Sequence, residues 1–313
     1  MRSSLPYVSI GLPVYNGERF LTETLDSLLA QTFENLELII SDNASTDRTQ
    51  EICEDYAAKD RRIRYYRNDQ NLGAARNYNR VFELSTGKYF KWAAHDDLCA
   101  PVLIERCVEA LDSELFAVIC HSKTSIINEH GRHQKDYDDL MDLRSPNPHE
   151  RFRHYLFRRA GLWSAVFGVI RVSELRKTPL IGSYISSDKV LLGELVLRGK
   201  IYQLSERLFY RRYHPEQGWR ANPTRSAEAA WYDPANRKRL VLPTELKAFF
   251  EYLCAIRRVR MSWHERTWCY LYMMKWGYKH LLPENYNRAY RLLKSFDKRK
   301  RLVKRLIGKG EGQ

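Results

Sequence analysis

The chain of 313 residues lacks any run of about 20 apolar residues, so no segment reads as a membrane span. Its longest apolar stretch, Leu162 to Ile170, is about half that length and is interrupted by Ser164 and Gly168. The start, Met1-Arg2-Ser3-Ser4, runs into Pro6 and a strand-like segment instead of the apolar core of a signal peptide. The six cysteines (Cys53, Cys99, Cys107, Cys120, Cys254 and Cys269) include no CxxC pair. That removes the common zinc and dithiol spacings, and the expectation is reduced thiols in a cytosolic protein. Acidic residues are scarce at the end of the chain. From Ala255 onward there are 16 Lys/Arg against 4 Asp/Glu, so +12 of the formal +14 lies there and only +2 in the rest. The basic character belongs to a tail on a near-neutral domain. Apolar residues are not scarce: at 44% they supply a sizeable core and exclude general disorder.

Two periods alternate along the first 120 or so residues. Val8, Ile10 and Leu12 alternate as a strand does, and Leu21, Leu25, Leu28 and Leu29 follow helical spacing. Leu36 to Ile40, Ile63 to Tyr66, Tyr89 to Ala93 and Ala117 to Cys120 read as further strands. Ile52 to Ala57, Ala74 to Leu84 and Leu103 to Leu111 read as helices, the last begun near Pro101. This alternation predicts a parallel sheet covered on both faces. Asn128 to His149 is polar and reads as a long connection or hairpin. Leu162 to Arg171 reads as a strand and Ser187 to Leu197 as a helix stopped at Gly199. Tyr202 to Leu204 and Leu208 to Tyr213 read as two short strands. After about Pro243 the sequence turns helical, aromatic and basic.

In an open parallel sheet, ligands bind beyond the carboxyl ends of the strands. Three chemically loaded loops follow predicted strands: Pro13-Val14-Tyr15-Asn16-Gly17-Glu18, Ser41-Asp42-Asn43 and His95-Asp96-Asp97. Parallel strands place all three at one edge. Adjacent Asp96 and Asp97 suit Mg²⁺ or Mn²⁺, which takes one or two carboxylates and completes its shell with phosphate oxygens and water. The same pair also suits capping of the following helix. Asp42 can accept from a base N–H or a ribose hydroxyl, or can hold its own turn. Tyr15 can stack on a base, and Arg76 can reach a phosphate.

Four stretches, Val8-Ser-Ile-Gly-Leu-Pro-Val-Tyr-Asn-Gly17, Leu38-Ile-Ile-Ser-Asp-Asn-Ala-Ser-Thr-Asp47, Asn71-Leu-Gly-Ala-Ala-Arg-Asn77 and Trp92-Ala-Ala-His-Asp-Asp97, together resemble the family 2 glycosyltransferases of the GT-A fold. The resemblance is clear to about residue 120 and looser to about 215. It implies an α/β domain over residues 1–240, a GT-A-like, mostly parallel sheet flanked by helices; the change of pattern after about Pro243 adds a helical basic extension over 241–313. It implies glycosyl transfer from a nucleoside diphosphate sugar to an acceptor hydroxyl, with inversion. Pro13, Tyr15, Glu18 and Asp42 would line the base and ribose pocket. Arg76 and Asp96 would support the nucleotide, and Asp97 would be the main ligand of Mn²⁺ or Mg²⁺. The position of the acceptor-activating base falls on Asp188, where Ser187 replaces the acidic residue more usual before it. A carboxylate there must come within hydrogen-bond reach of the acceptor hydroxyl, and helix capping is the competing role. His214 matches a histidine that can complete the metal shell. Trp163 and Trp219 can stack on a sugar or belong to the core.

The tail interleaves Trp263, Trp268, Tyr270, Tyr272, Trp276 and Tyr278 with Lys and Arg. Such helices lie at anionic membrane surfaces or pack as a small bundle with a solvated basic face. No nucleic-acid motif accompanies them, so no nucleic acid is expected. A glycan or lipid-linked acceptor at the inner face of a membrane fits this reading, in cell-surface polysaccharide or glycolipid assembly. Two rivals are a sugar-phosphate nucleotidyltransferase, which would carry a Gly-rich basic loop after the first strand, and a degenerate transferase acting as a scaffold. The former loop is absent, and intact Asp42, Asp96, Asp97 and Asp188 disfavour the latter.

Overall fold

The segments Val8–Val14 (β1) and Leu36–Asp42 (β2) are buried along their whole length. That is the condition of strands covered on both faces. They pair in parallel from Val8↔Leu36 to Val14↔Asp42. The computed structural model describes residues 5–159, 161–238 and 242–282, without the side chains of Trp219 and Lys238. The other strands are β3 (Ile63–Arg67), β4 (Tyr89–Trp92), β5 (Leu98–Cys99), β6 (Ala117–Asn128), β7 (His133–Tyr137), β8 (Val169–Arg171) and β9 (Lys200–Tyr213). The helices are α1 (Leu21–Leu29), α2 (Thr49–Lys59), α3 (Ala74–Glu83), α4 (Leu103–Ser113), α5 (Pro148–Phe157), α6 (Val172–Leu175), α7 (Ser187–Arg198), α8 (Gly218–Ala221), α9 (Arg225–Tyr232), α10 (Thr244–Arg258) and α11 (Trp263–Leu281).

The sheet runs β3-β2-β1-β4-β8-β6-β9-β5, with β7 paired to β6. Strands β1 to β4, β6 and β9 point one way, and β5, β7 and β8 oppose them. The sheet is thus mixed and mostly parallel. One face carries Ile10, Leu12, Leu25, Leu38, Ile104 and Cys107, under α1, α2 and α4. The other buries Ile39, Val81, Phe90, Trp92, Leu191 and Leu195, under α3, α5 and α7.

Three expectations change. Leu162 to Arg171 is a strand only in its last three residues, because Trp163 adopts φ +60° and Ser164–Phe167 close a 3-10 turn. Asp139 Oδ2 fixes that turn by accepting from Ala165 N at 3.0 Å. Tyr202–Leu204 and Leu208–Tyr213 join in one strand, β9, since β6 pairs along all of it and register shifts around Lys123 absorb the polar Ser205-Glu206 interruption. The polar connection after Asn128 opens with a hairpin whose returning strand is β7.

Helices α10 and α11 share the apolar cluster of α5 and α7 through Ala248, Tyr252, Ile256, Cys269 and Met273. The boundary expected at residue 240 falls in 239–241, and the tail expected to run on past Leu282 falls in 283–313, both outside the described residues. Among the described residues no helix is long and apolar enough to cross a membrane, and all six cysteines are free thiols.

Glu194 ties α10 to α7. Its side chain, 1% exposed, accepts from Arg198 at 2.6 Å and from Arg258 at 2.6 Å. Removing one partner of a buried ion pair leaves the other charge uncompensated in the interior. Arg258 is partly exposed and relaxes into solvent, so the loss sits at the low end of the usual range. Glu194→Leu should cost about 3 kcal/mol of stability, read as a lower urea midpoint at unchanged slope. A midpoint within experimental error of the parent's would show that α10 is held by apolar packing alone.

Candidate active site

The parallel register puts the ends of β1, β2 and β4 at one edge, and side chains then sew their loops together. Asn16 N donates to Ser45 Oγ at 2.9 Å and Gly17 N to Thr49 Oγ1 at 2.8 Å. Glu18 N donates to Asp47 Oδ2 at 3.1 Å, while Glu18 Oε2 accepts from Arg48 N at 2.9 Å. Glu18 therefore spends its carboxylate on the start of α2. Pro13 is buried inside β1, and Tyr15 stands exposed at the strand end.

Asp42 is fully buried, which a carboxylate tolerates only with full hydrogen bonding and a counter-charge. Its Oδ1 accepts from Ser45 N at 2.9 Å and its Oδ2 from Tyr65 Oη at 3.0 Å, and Arg67 pairs with the same oxygen. Behind it lies an amide network. Asn77 bridges Ser41 Oγ and Ser41 O at 2.7 and 2.8 Å, and Asn43 Oδ1 accepts from Leu72 N at 2.9 Å. The stretch Asn71–Asn77 is thereby pinned to β2. Gly73 opens α3 at φ +83°, and an added Cβ would meet Tyr232 O at 2.7 Å. Three residues further on, Arg76 stands exposed, with no ion pair among the described residues.

The acidic loop is held from three sides. Thr24 Oγ1 of α1 donates to His95 O at 2.9 Å and to Asp97 O at 3.1 Å. Gly17 allows the His95 ring to approach, since a Cβ there would meet the ring at 2.9 Å. Arg212 of β9, fully buried, donates from Nε to Asp96 O at 2.9 Å, and its backbone N–H donates to Asp97 Oδ1 at 2.9 Å. The guanidinium also reaches Glu23 Oε2 and Glu129 O, and lies over the Phe20 ring at 4.7 Å.

His214 Nε2 donates to Asp96 Oδ2 at 2.9 Å, leaving Nδ1 buried without a partner. Burial works against an ionised Asp96, but the His214 bond and the charges on His95, His214 and Arg211 outweigh it and hold its pKa low. Asp97 goes the other way. Burial first, and the charge on Asp96 second, push it up to about 7, with Arg211, the Arg212 N–H and Lys91 opposing. Among the described residues no three His, Cys, Asp or Glu side chains converge as a metal cage. Two adjacent hard carboxylates suit a cation whose shell is completed by diphosphate oxygens. Asp97 and Asp96 would be the residues to hold it, with His214 meeting the site through its bond to Asp96.

Asp188 lies in the first turn of α7. The cap position is Ser186, with φ +66° and no side-chain cap bond. Asp188 Oδ1 is buried without a hydrogen-bond partner. Burial raises its pKa, with Lys189 and Arg211 opposing. Tyr78 of α3 connects the two halves: after burial, its hydroxyl is pushed up by Asp96, Asp97 and Asp188, with Arg211 opposing. The acidic pair and Asp188 thus act on one tyrosine and share one cation. Sequence reasoning missed Tyr78, Arg211, Arg212, Arg67 and Thr24. Trp163 is engaged under Arg158 at 3.7 Å and Lys189 at 5.3 Å, and the Trp219 side chain lies outside the described residues.

A family model described as glycosyl transferase family 2 matches residues 9–176, more than half of the chain. An uncharacterized glycosyltransferase of Rickettsia typhi is 39% identical over 107 residues, 34% of this chain and 32% of the relative. An uncharacterized glycosyltransferase EpsJ of Bacillus subtilis is 34% identical over 116 residues, 37% of this chain and 33% of the relative. The matches therefore span about a third of the length of these curated relatives. Among solved structures, S. aureus TarS 1-349 in complex with UDP-GlcNAc superposes with TM-score 0.63 at 16% identity, over 88% of this chain and 73% of that one. The mannosyltransferase PcManGT from Pyrobaculum calidifontis, in complex with GDP-Man and Mn2+, gives 0.51 at 14%, over 90% and 88%. These likenesses show that the fold is of the GT-A type.

The raised pKa of Asp97 has a sign that can be tested. A carboxyl whose folded pKa exceeds its unfolded value favours folding through its proton. That contribution is complete below the unfolded value of 3.8 and is lost as pH rises through about 7. A cation bound at Asp97 displaces the proton and is favoured as pH rises. The Mn²⁺-induced rise in melting temperature should therefore grow between about pH 6 and 8 in the parent and stay flat in Asp97→Asn. Equal pH dependence in both proteins would remove Asp97 from the metal site.

Proposed function

We propose, from the premise that the chain belongs to glycosyl transferase family 2, that it transfers a glycosyl group from a nucleoside diphosphate sugar to an acceptor hydroxyl with inversion. The observation that carries this reading is a buried acidic pair at the end of β4 together with a second carboxylate, Asp188 at the start of α7, whose buried Oδ1 has no hydrogen-bond partner. A single displacement needs charge stabilisation on the leaving-group side and a base on the acceptor side. Two carboxylate stations supplied by different halves of the chain meet that requirement. The bound UDP-GlcNAc and GDP-Man of the two structural neighbours support a nucleotide sugar as donor.

On this reading Tyr15, exposed at the end of β1, offers its ring to the base, beside buried Pro13. Asp42 and Glu18 act from behind, the first by setting the β2 end through Arg67 and Ser45, the second by joining the two loops. Arg76, exposed at the start of α3, is free to turn to a phosphate. Asp97, assisted by Asp96 and His214, would hold Mn²⁺ or Mg²⁺, which neutralises charge on a departing diphosphate. Asp188 takes the proton of the acceptor hydroxyl. Its raised pKa serves this role, because a stronger base draws the proton further in the transition state. The acceptor is a glycan or a lipid-linked sugar at the inner face of an anionic membrane, in cell-surface polysaccharide or glycolipid assembly.

Asp188→Asn preserves shape and leaves the Ser186 cap untouched. Turnover of a panel of UDP-, GDP- and dTDP-sugars with Mn²⁺ should fall about 100-fold or more in kcat, with donor affinity retained. Parent-like kcat in this variant would rule out Asp188 as the base. A parent chain that turns over no nucleotide sugar would sink the whole reading.

A further inference from the structure

Helix α11 is apolar on two faces. The inner face packs Cys269 and Met273 into the core, and Gly277 accepts the Phe249 ring, which an added Cβ would meet at 2.9 Å. Glu265 fixes the rotation of the helix, accepting from His149 N at 2.9 Å and pairing with His149 Nδ1 at 2.7 Å. Trp276 stacks on Phe249 and meets Tyr252 edge-on. The other face is turned to solvent: Trp263 is 80% exposed, Met274 69% and Leu271 47%. At about 100° per residue these three fall within one quadrant of the helix, with exposed Thr267 between Trp263 and the other two and Lys275 and Lys279 along one border. Large apolar side chains gathered on one exposed face mark an interaction site.

The charge around this face selects its occupant. From Ala255 to Leu282 there are six Lys/Arg and one acidic residue, Glu265, already taken by His149. Three residues before Trp263, Arg260 lines an open groove of about 1020 Å³ that also receives Arg151, Lys177, Arg198, Lys200 and Arg258. Lys177 pairs with Glu174, Lys200 with Glu114, and Arg198 and Arg258 with Glu194, while buried Arg151 donates to backbone carbonyls, so among the described residues Arg260 is the exposed lining cation without an ion pair. A second copy of this chain would bring the same positive surface against itself. Residues 283–313, with ten Lys/Arg against three Asp/Glu, carry the same sign and are no better matched. The complementary occupant is negatively charged outside and apolar within.

We propose that α11 docks on an anionic lipid bilayer, with Trp263, Leu271 and Met274 entering the headgroup–acyl boundary and Arg260 taking a lipid phosphate. Trp suits that depth because it pairs an apolar ring with a polar edge, and lysine stems reach back to the headgroups. This deepens the membrane setting proposed above and does not depend on which sugar is transferred.

The test uses the full-length chain and two variants altered only at exposed positions, Trp263→Ser/Leu271→Ser/Met274→Ser and Arg260→Glu, each checked for an unchanged melting temperature. Sedimentation is measured with vesicles of phosphatidylcholine containing a minority of phosphatidylglycerol, with pure phosphatidylcholine, and at low and high salt. The parent should pellet with the mixed vesicles at low salt and release at high salt. The triple variant should lose roughly tenfold or more in partition, and Arg260→Glu several-fold. Parent-like partition of the triple variant would overturn the proposal. So would failure of the parent to bind the mixed vesicles, or a self-association of the parent that the triple variant abolishes. Nucleotide-sugar binding by the same samples without lipid reports separately on the proposed reaction.

Discussion

The site depends on one buried guanidinium. Arg212 has no contact with solvent, and an uncompensated charge in that position would be prohibitive. Each direction of its donors is answered: Asp96 O, Glu129 O and Glu23 Oε2, with the Phe20 ring beneath. Its own backbone N–H then holds Asp97 Oδ1. A single residue of β9 thus binds α1, the acidic loop and the β6–β7 turn into one body. The acidic loop needs this, because Asp96 and Asp97 are adjacent, buried and mutually repulsive. Without fixed donors around them the pair would separate or take up protons.

The partition between the two aspartates follows from this arrangement. Asp96 receives the His214 bond and stays ionised, whereas Asp97 keeps one oxygen on a backbone N–H and bears the repulsion. The strained member of the pair is the one that gains most from a cation. Asp188 is also destabilised as an anion, by burial without a partner for Oδ1. Two carboxylates whose charged forms are held at a cost mark a site poised for a positively charged or proton-donating ligand. Segment 225–238 bridges the start of α3 and the loop before α7: Tyr232 and Asp233 lie against Gly73, and Asn236 donates to Ser183 O at 2.8 Å.

The position of the site was legible in the sequence because strand periodicity and loop chemistry are local. Val8 to Leu12, Leu36 to Ile40 and Tyr89 to Ala93 each lead into a loaded loop, and parallel pairing does the rest. The supporting residues were not legible. Arg212 stands 115 positions from Asp97, and its chemistry does not name its partner. That partner follows from β9 pairing with β6 along its length and with β5 beside the acidic loop, a long-range arrangement that no periodicity announces. The missed break at Trp163 has the same origin, since the 3-10 turn there is fixed by Asp139, 26 positions away in the chain.

The central claim is that the acidic pair anchored by Arg212 is where a cation and a nucleoside diphosphate meet. Crystals of the full chain grown with Mn²⁺ and UDP or GDP, with data collected at the manganese edge, test this directly. The account predicts one strong anomalous peak bonded to Asp97 and to diphosphate oxygens, beyond the carboxyl ends of β1, β2 and β4. A nucleotide bound with its diphosphate remote from Asp97, or manganese found only elsewhere on the chain, would contradict it.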